Sequence, residues 1–338
     1  MSEPFFYGGQ AVIEGVMMRG RQAMAVAVRH PSGQVVVHSE PLTARPYRHP
    51  WTKRPFIRGV LLLWDTLVLG TRALMYSANV AMQESPESRV ASPESEGAAR
   101  DAESGERNAG SGERNAGQGE MDLGGGALWG TMAMSLTLGI GIFFVSPLLL
   151  TRTVDHLLPS AVLSVAVEGL IRIGLFFGYV WLIGRLPDIR RVFAYHGAEH
   201  KTINAFEAGE PLHPDHVERY SVAHPRCGTS FLLVVVVLSI FVFALLGRPS
   251  LPVRIVSRIA LVPVIAAVGY ELIRAAAKRR QHAVVRLLMA PGMALQALTT
   301  REPDRSQVEV AIEALKRVLE LDGVSARAPA PAAATAPP

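Results

Sequence analysis

Five of the ten histidines in this chain fall between positions 196 and 224. The densest string is Tyr195-His196-Gly197-Ala198-Glu199-His200-Lys201. On a helix, His196 and His200 stand one turn apart on one face, as two imidazoles must to bind one metal ion. Glu199 lies beside them. Glu207, eleven residues after His196, returns to nearly the same face. His196-x-x-Glu199-His200 also matches the inverted zinc-protease pattern, in which the histidines hold zinc and the glutamate helps activate water. Three fixed residues in five recur by chance, so the string alone does not make a protease. His224-Pro225-Arg226-Cys227-Gly228 offers further ligands, because a His and a Cys three apart can clasp a borderline-soft ion. The chemistry expected is that of a divalent metal, zinc by donor type. Its ligands would be His196, His200, Glu207, His224 and Cys227. Glu199 would serve as general base, and Lys201 or Arg226 would steady an anionic intermediate. The plainer reading is structural histidines bonded to neighbours, with Cys227 a small buried residue. His213 and His216 make a second pair, but they flank Pro214 in a polar loop.

What positions these residues is apolar and long. Of 338 residues, 49% are apolar and only 19% are charged, and the mean hydropathy is +0.24. Ala127–Thr151 and Thr229–Gly247 carry no charge and are long enough to cross a bilayer as helices. Ser160–Gly184 carries only Glu168 and Arg172, four apart, and Leu251–Ala277 has its charges near its two ends. The pair Glu168/Arg172 is either a functional site inside the membrane or a neutralised pair gluing helices. The expected fold is therefore mainly α: a polytopic membrane protein of about four transmembrane helices with a small α+β cytoplasmic domain. Two transmembrane hairpins occupy 127–184 and 229–277, and the His-rich loop 185–228 joins them. Arginine and lysine collect in that loop and after the fourth span, which puts the loop and both termini in the cytoplasm. Met1–Phe6 opens no signal peptide.

The remaining parts differ from one another. Residues 1–56 read as a cap containing a β-hairpin, Ala23–His30 and Gln34–Glu40 about Pro31-Ser32-Gly33. The glycine-rich run Gly8–Gly20 matches no nucleotide-binding fingerprint and suits tight turns. Its charges, Glu14 and Arg19, could face the histidines. In 57–82, Arg58, Asp65, Arg72 and Asn79 recur every seven residues as a polar stripe, which favours an interfacial or re-entrant helix over a fifth span. Residues 83–123 form an acidic linker with the tandem SGERNAG at Ser104–Gly117 and a composition expected to be disordered. Residues 278–324 form a helical region in which Val308, Ile312, Leu315 and Leu319 mark an amphipathic helix. The Ala/Pro-rich tail 325–338 is expected to be disordered.

At this point the strings GGQAVIEGVMMRG (Gly8–Gly20), PFIRG (Pro55–Gly59), HGAEHKTINAFEAGE (His196–Glu210), HPRCGTSF (His224–Phe231) and TTREPD (Thr299–Asp304) resemble the bacterial YqhQ-like membrane family, domain of unknown function 1385. The resemblance covers most of the chain except the linker and tail. It implies an integral protein of the bacterial inner membrane and a metal-dependent enzyme, without a reaction.

Two functions follow as expectations. The first is a metal-dependent, hydrolase-like enzyme at the cytoplasmic membrane face, acting on a lipid head group or a membrane-associated peptide. The alternative is a non-catalytic scaffold or transport-related protein with structural histidines. The partner expected is the lipid bilayer, with room for a homo-oligomer. The net charge of +5 is no nucleic-acid signal, because the arginines stand where inside loops need them and form no stripe interleaved with aromatics. The single cysteine excludes a disulfide framework.

Overall fold

The computed structural model describes residues 5–42, 54, 56–83, 125–247, 249–279 and 282–324. Nearly all of the linker 83–123 and all of the tail 325–338, both expected to be disordered, lie outside the described residues.

The N-terminal cap holds more β structure than the expected hairpin. Strands β1 (Gly8–Val12), β2 (Gly15–Arg19), β3 (Ala23–Arg29) and β4 (Val35–Pro41) form an antiparallel meander in sequence order. The glycine-rich run read as turns is itself a hairpin, with Gly9 opposite Met18 and Val12 opposite Gly15. Glycine is needed there for close approach. A Cβ on Gly9 would stand 2.3 Å from the Met17 carbonyl oxygen and 3.1 Å from Glu199 Cγ.

The sheet is covered on both faces, so its central strands carry apolar residues almost continuously instead of alternating with polar ones. Successive side chains point to opposite sides. Val16, Met18, Ala25 and Ala27 pack with Tyr195, Ala198, Ile312 and Leu315 in one core. Met17, Met24, Val26 and Val28 pack with Leu69, Ala73 and Val80 in the other.

Helix α1 (Ile57–Ala81) forms the second core. Its seven-residue stripe is spent on the protein itself. Arg58 pairs with Glu271, Asp65 with Arg19 at 2.5 Å, and Arg72 with Glu40 at 3.6 Å. Arg19 therefore faces α1 and not the histidines.

The long apolar rod begins as α2 (Gly125–Ile140), passes through a π-turn at Gly141–Val145 and continues as α3 (Ser146–Val154). It is followed by α4 (Ala161–Ile183), α5 (Pro187–Glu207), the single turn α6 (Pro214–Val217), α7 (Gly228–Leu246), α8 (Leu251–Lys278), α9 (Ala283–Thr299) and α10 (Arg305–Leu321). Asp304 caps α10 by accepting from Gln307 N, and Gln307 returns the bond to Asp304 N. Five of the described helices are long and apolar enough to cross a membrane: 57–81, 133–157, 162–183, 228–246 and 251–276. That is one more than the four read from sequence. The addition is α1, whose polar stripe is neutralised by protein partners.

Candidate metal centre

The histidine string folds as expected into a helix, α5, which starts four residues after α4 ends and lies against β1 and β2. Glu14, in the β1–β2 turn with a φ of 51°, receives Arg191 Nε at 2.6 Å and Nη2 at 2.5 Å. The Tyr195 hydroxyl lies 3.4 Å from the same carboxylate. That carboxylate hydrogen-bonds and holds the Arg191 guanidinium above its ordinary pKa, and burial, reinforced by Glu14, pushes the Tyr195 phenol up. Glu14 thus pins the first half of α5, one turn before the histidines.

The next turn meets the stretch after α9. A Cβ on Gly197 would stand 2.1 Å from the Arg301 carbonyl oxygen, so only glycine lets α5 pass. This close passage aims the first imidazole. His196 Nδ1 donates to the Thr299 carbonyl at 2.9 Å, and His200 Nδ1 donates to the Val222 carbonyl at 2.5 Å. With both Nδ1 protons held by carbonyls, both Nε2 atoms carry lone pairs, as metal-binding histidines do.

Those lone pairs converge on a thiol. The ligand atoms of His196, His200 and Cys227 all lie within 4.8 Å of one another. Cys227 Sγ is 3.3 Å from His196 Nε2 and 3.1 Å from the Thr229 hydroxyl. Two ligands of a tetrahedral zinc, one at ~2.3 Å through sulfur and one at ~2.1 Å through nitrogen, would stand about 3.5 Å apart. Cys227 itself takes the N-cap position of α7, ahead of the Thr229 and Ser230 hydroxyls that would ordinarily cap a helix. Glu199 completes the cluster. Its Oε2 is 3.5 Å from His200 Nε2, while its Oε1 accepts from Gly9 N at 2.9 Å.

Two expected ligands stand apart from this group. Glu207 pairs with Arg226, and it lies 3.9 Å from His224 Nε2. Sharing a helix face with His196 was not sufficient, because eleven residues of rise separate the two by about 16 Å. The His224 ring centroid is 5.6 Å from that of His200. Its backbone is fixed by Gln296, which accepts from His224 N and donates to His224 O, each at 2.9 Å. Burial pushes its imidazole pKa down.

Of the two expected cationic helpers, Lys201 donates to the Glu218 carbonyl at 2.7 Å and pairs with Glu302. Arg226 lies over the Phe6 ring at 4.3 Å. His213 pairs with Asp215 and His216 with Glu210, away from the cluster.

Sequence reasoning missed the anchors. Gly9 N and the Thr299 carbonyl act through their backbones, and side-chain types carry no signal for that. Both fall inside strings already singled out, GGQAVIEGVMMRG and TTREPD, which was the available clue.

A family described as protein of unknown function (DUF1385) matches over residues 54–321. The chain belongs to that family. It is 31% identical over 322 residues to the "Uncharacterized protein YqhQ" of Bacillus subtilis (strain 168), covering 95% of each chain. No solved structure matches.

Proposed function

We propose that the chain is a metal-dependent, hydrolase-like enzyme of the bacterial inner membrane, with His196, His200 and Cys227 holding a divalent ion, zinc by donor type. The observation that carries the reading is the convergence of two Nε2 lone pairs and one thiol sulfur within 4.8 Å, with both imidazoles pre-oriented through Nδ1. Two nitrogens and one sulfur suit a borderline ion, and three protein ligands leave a fourth position open, as in catalytic zinc sites. A divalent ion bound here supplies Lewis acidity. Glu199, held by Gly9 N, is the group placed to accept a proton from water entering the site. Arg226 is held by Glu207 beside His224 and is the cationic side chain nearest to that imidazole on the same segment. Lys201, tied to Glu218 and Glu302, is better read as a brace between α5 and its neighbours.

The site sits where the helix bundle meets the sheet domain, since Cys227 immediately precedes α7 and α5 closely follows α4. That location favours a substrate on the membrane surface, a lipid head group or a membrane-associated peptide. The basic residues of 185–228 and those after α8 favour the cytoplasmic side for the site and both termini.

Elemental analysis of the purified full chain tests the metal reading. About one metal per chain is expected, and His196→Ala combined with His200→Ala removes it. Full metal retention in that double variant overturns the proposal. Fractionation of the producing cells tests the membrane reading independently.

A further inference from the structure

The bundle holds a second concentration of charge, at its opposite end. α4 ends beside α5 and α7 begins beside Cys227, so the starts of α4 and α8 lie at the end away from the sheet. There Glu168 is buried among three arginines. Its Oε1 accepts from Arg172 Nη2 at 2.8 Å and from Arg258 Nε at 2.9 Å. Its Oε2 accepts from Arg258 Nη2 at 2.5 Å and from Arg254 Nη2 at 3.3 Å. Arg172 also donates to the Phe143 carbonyl at 3.0 Å and to Ser239 Oγ at 3.2 Å. Arg172 and Arg258 flank the Phe243 ring at 5.1 Å and 4.3 Å. A further acid, Asp155, lies 3.9 Å from Arg254 Nη1 and is 23% exposed.

Among the described residues, three guanidiniums therefore meet two carboxylates, an excess of one positive charge in an apolar bundle. Uncompensated charge is costly there, and a bundle built only to neutralise Glu168 needs fewer arginines. Arg254 is 7% exposed, and its Nε–H is buried with no partner among the described residues. It is the fourth residue of α8, about 5 Å along the helix, while Glu168 and Arg258 are each about 10 Å in. That depth is the boundary between head groups and hydrocarbon.

We propose that Arg254, with Arg258 behind it, binds the phosphodiester of a phospholipid in the leaflet at the end of the bundle away from the sheet. One phosphodiester monoanion matches the excess counted among the described residues. A guanidinium presents planar paired donors that match phosphate oxygens. The site is independent of the metal centre, and it rests on the bilayer reading above.

The test uses the full chain, delipidated in a phosphate-free maltoside detergent. Dioleoyl-phosphatidylglycerol is one probe and inorganic phosphate the other. Native mass spectrometry of the wild type shows phosphatidylglycerol retained at this site, and Arg254→Gln lowers that occupancy at least tenfold. Arg274→Gln, on the same helix but toward the other end of the bundle, leaves it unchanged. Arg254→Gln keeps Glu168 held by Arg172 and Arg258. Should it nevertheless fail to fold, Arg254→Lys keeps the charge without the Nε–H and lowers occupancy less. Equal lipid retention in wild type and both Arg254 variants overturns the site. Stabilisation by inorganic phosphate alone, lost in Arg254→Gln, overturns the lipid source. Loss of metal in the histidine variants bears only on the other end, and a chain recovered in the soluble fraction removes the shared bilayer premise.

Discussion

The sheet domain and the helix bundle bury opposite kinds of residue. Around the sheet, apolar side chains are inside: Ile312 is 2% exposed, and Tyr195, Leu315 and Val318 are buried with it. In the bundle, large apolar side chains face outward, with Leu245 89% exposed and Phe241 and Leu170 also bare, while Glu168, Arg172, Arg258 and Ser239 are inside. The same physical rule gives both patterns if the two halves stand in different solvents. Water drives the first core together. A hydrocarbon surrounding offers apolar groups no such gain, and polar groups must then find each other. The cluster of His196, His200 and Cys227 sits where the two regions meet.

Substitutions can break or sharpen this contrast. The largest effect expected is in the sheet core, where Ile312→Ala costs about 2–5 kcal/mol through lost burial and the cavity left behind. Leu245→Ala, on the bundle surface, changes stability by less than about 0.5 kcal/mol. Thermal unfolding of both variants in detergent, followed by tryptophan fluorescence, compares them. Equal losses would mean that both halves face the same solvent. Of intermediate size is Gly197→Ala, whose methyl group meets the Arg301 carbonyl and forces α5 from the stretch after α9, at about 1–3 kcal/mol. It also moves Thr299 away from His196, so metal content falls along with stability; unchanged content would show that the Thr299 anchor is dispensable. The smallest effect belongs to Arg191→Gln. The pair with Glu14 is well formed, but Arg191 is exposed, so its loss costs under about 1 kcal/mol in the same assay. A larger loss would show that the β1–β2 turn depends on that pair.

Much of this arrangement was legible in the order of residues. Uncharged runs such as Thr229–Gly247 and the four-residue spacing of His196 and His200 are local signals, and local geometry determines them. The sheet was read at half its size. Gly8–Gly20 carries glycines for close packing, and in isolation those look like turn residues. Glu207 falls outside the cluster of His196, His200 and Cys227 because periodicity reports the face of a helix and not the distance along it. The stripe on α1 was detected correctly, but its partners Glu271, Arg19 and Glu40 lie elsewhere in the chain. No spacing rule reveals that the charges are already satisfied.

The closing contacts of the sheet domain join the two ends of the sequence. Asp322 accepts from Arg21 N at 2.7 Å and from Gln22 N at 2.9 Å, and Arg29 Nη2 reaches the Ser306 carbonyl at 2.6 Å. During synthesis, the strands emerge long before the helix that covers them. At ribosomal speeds of roughly 5–20 residues per second, the face awaiting α10 stays bare for about 15–60 seconds. The strand face therefore waits for α10, and the Thr299 carbonyl that aims His196 is among the last pieces to arrive. The cluster of His196, His200 and Cys227 is complete only once the chain through Thr299 has folded, and a truncated product ending before α10 would expose its strands without completing the domain.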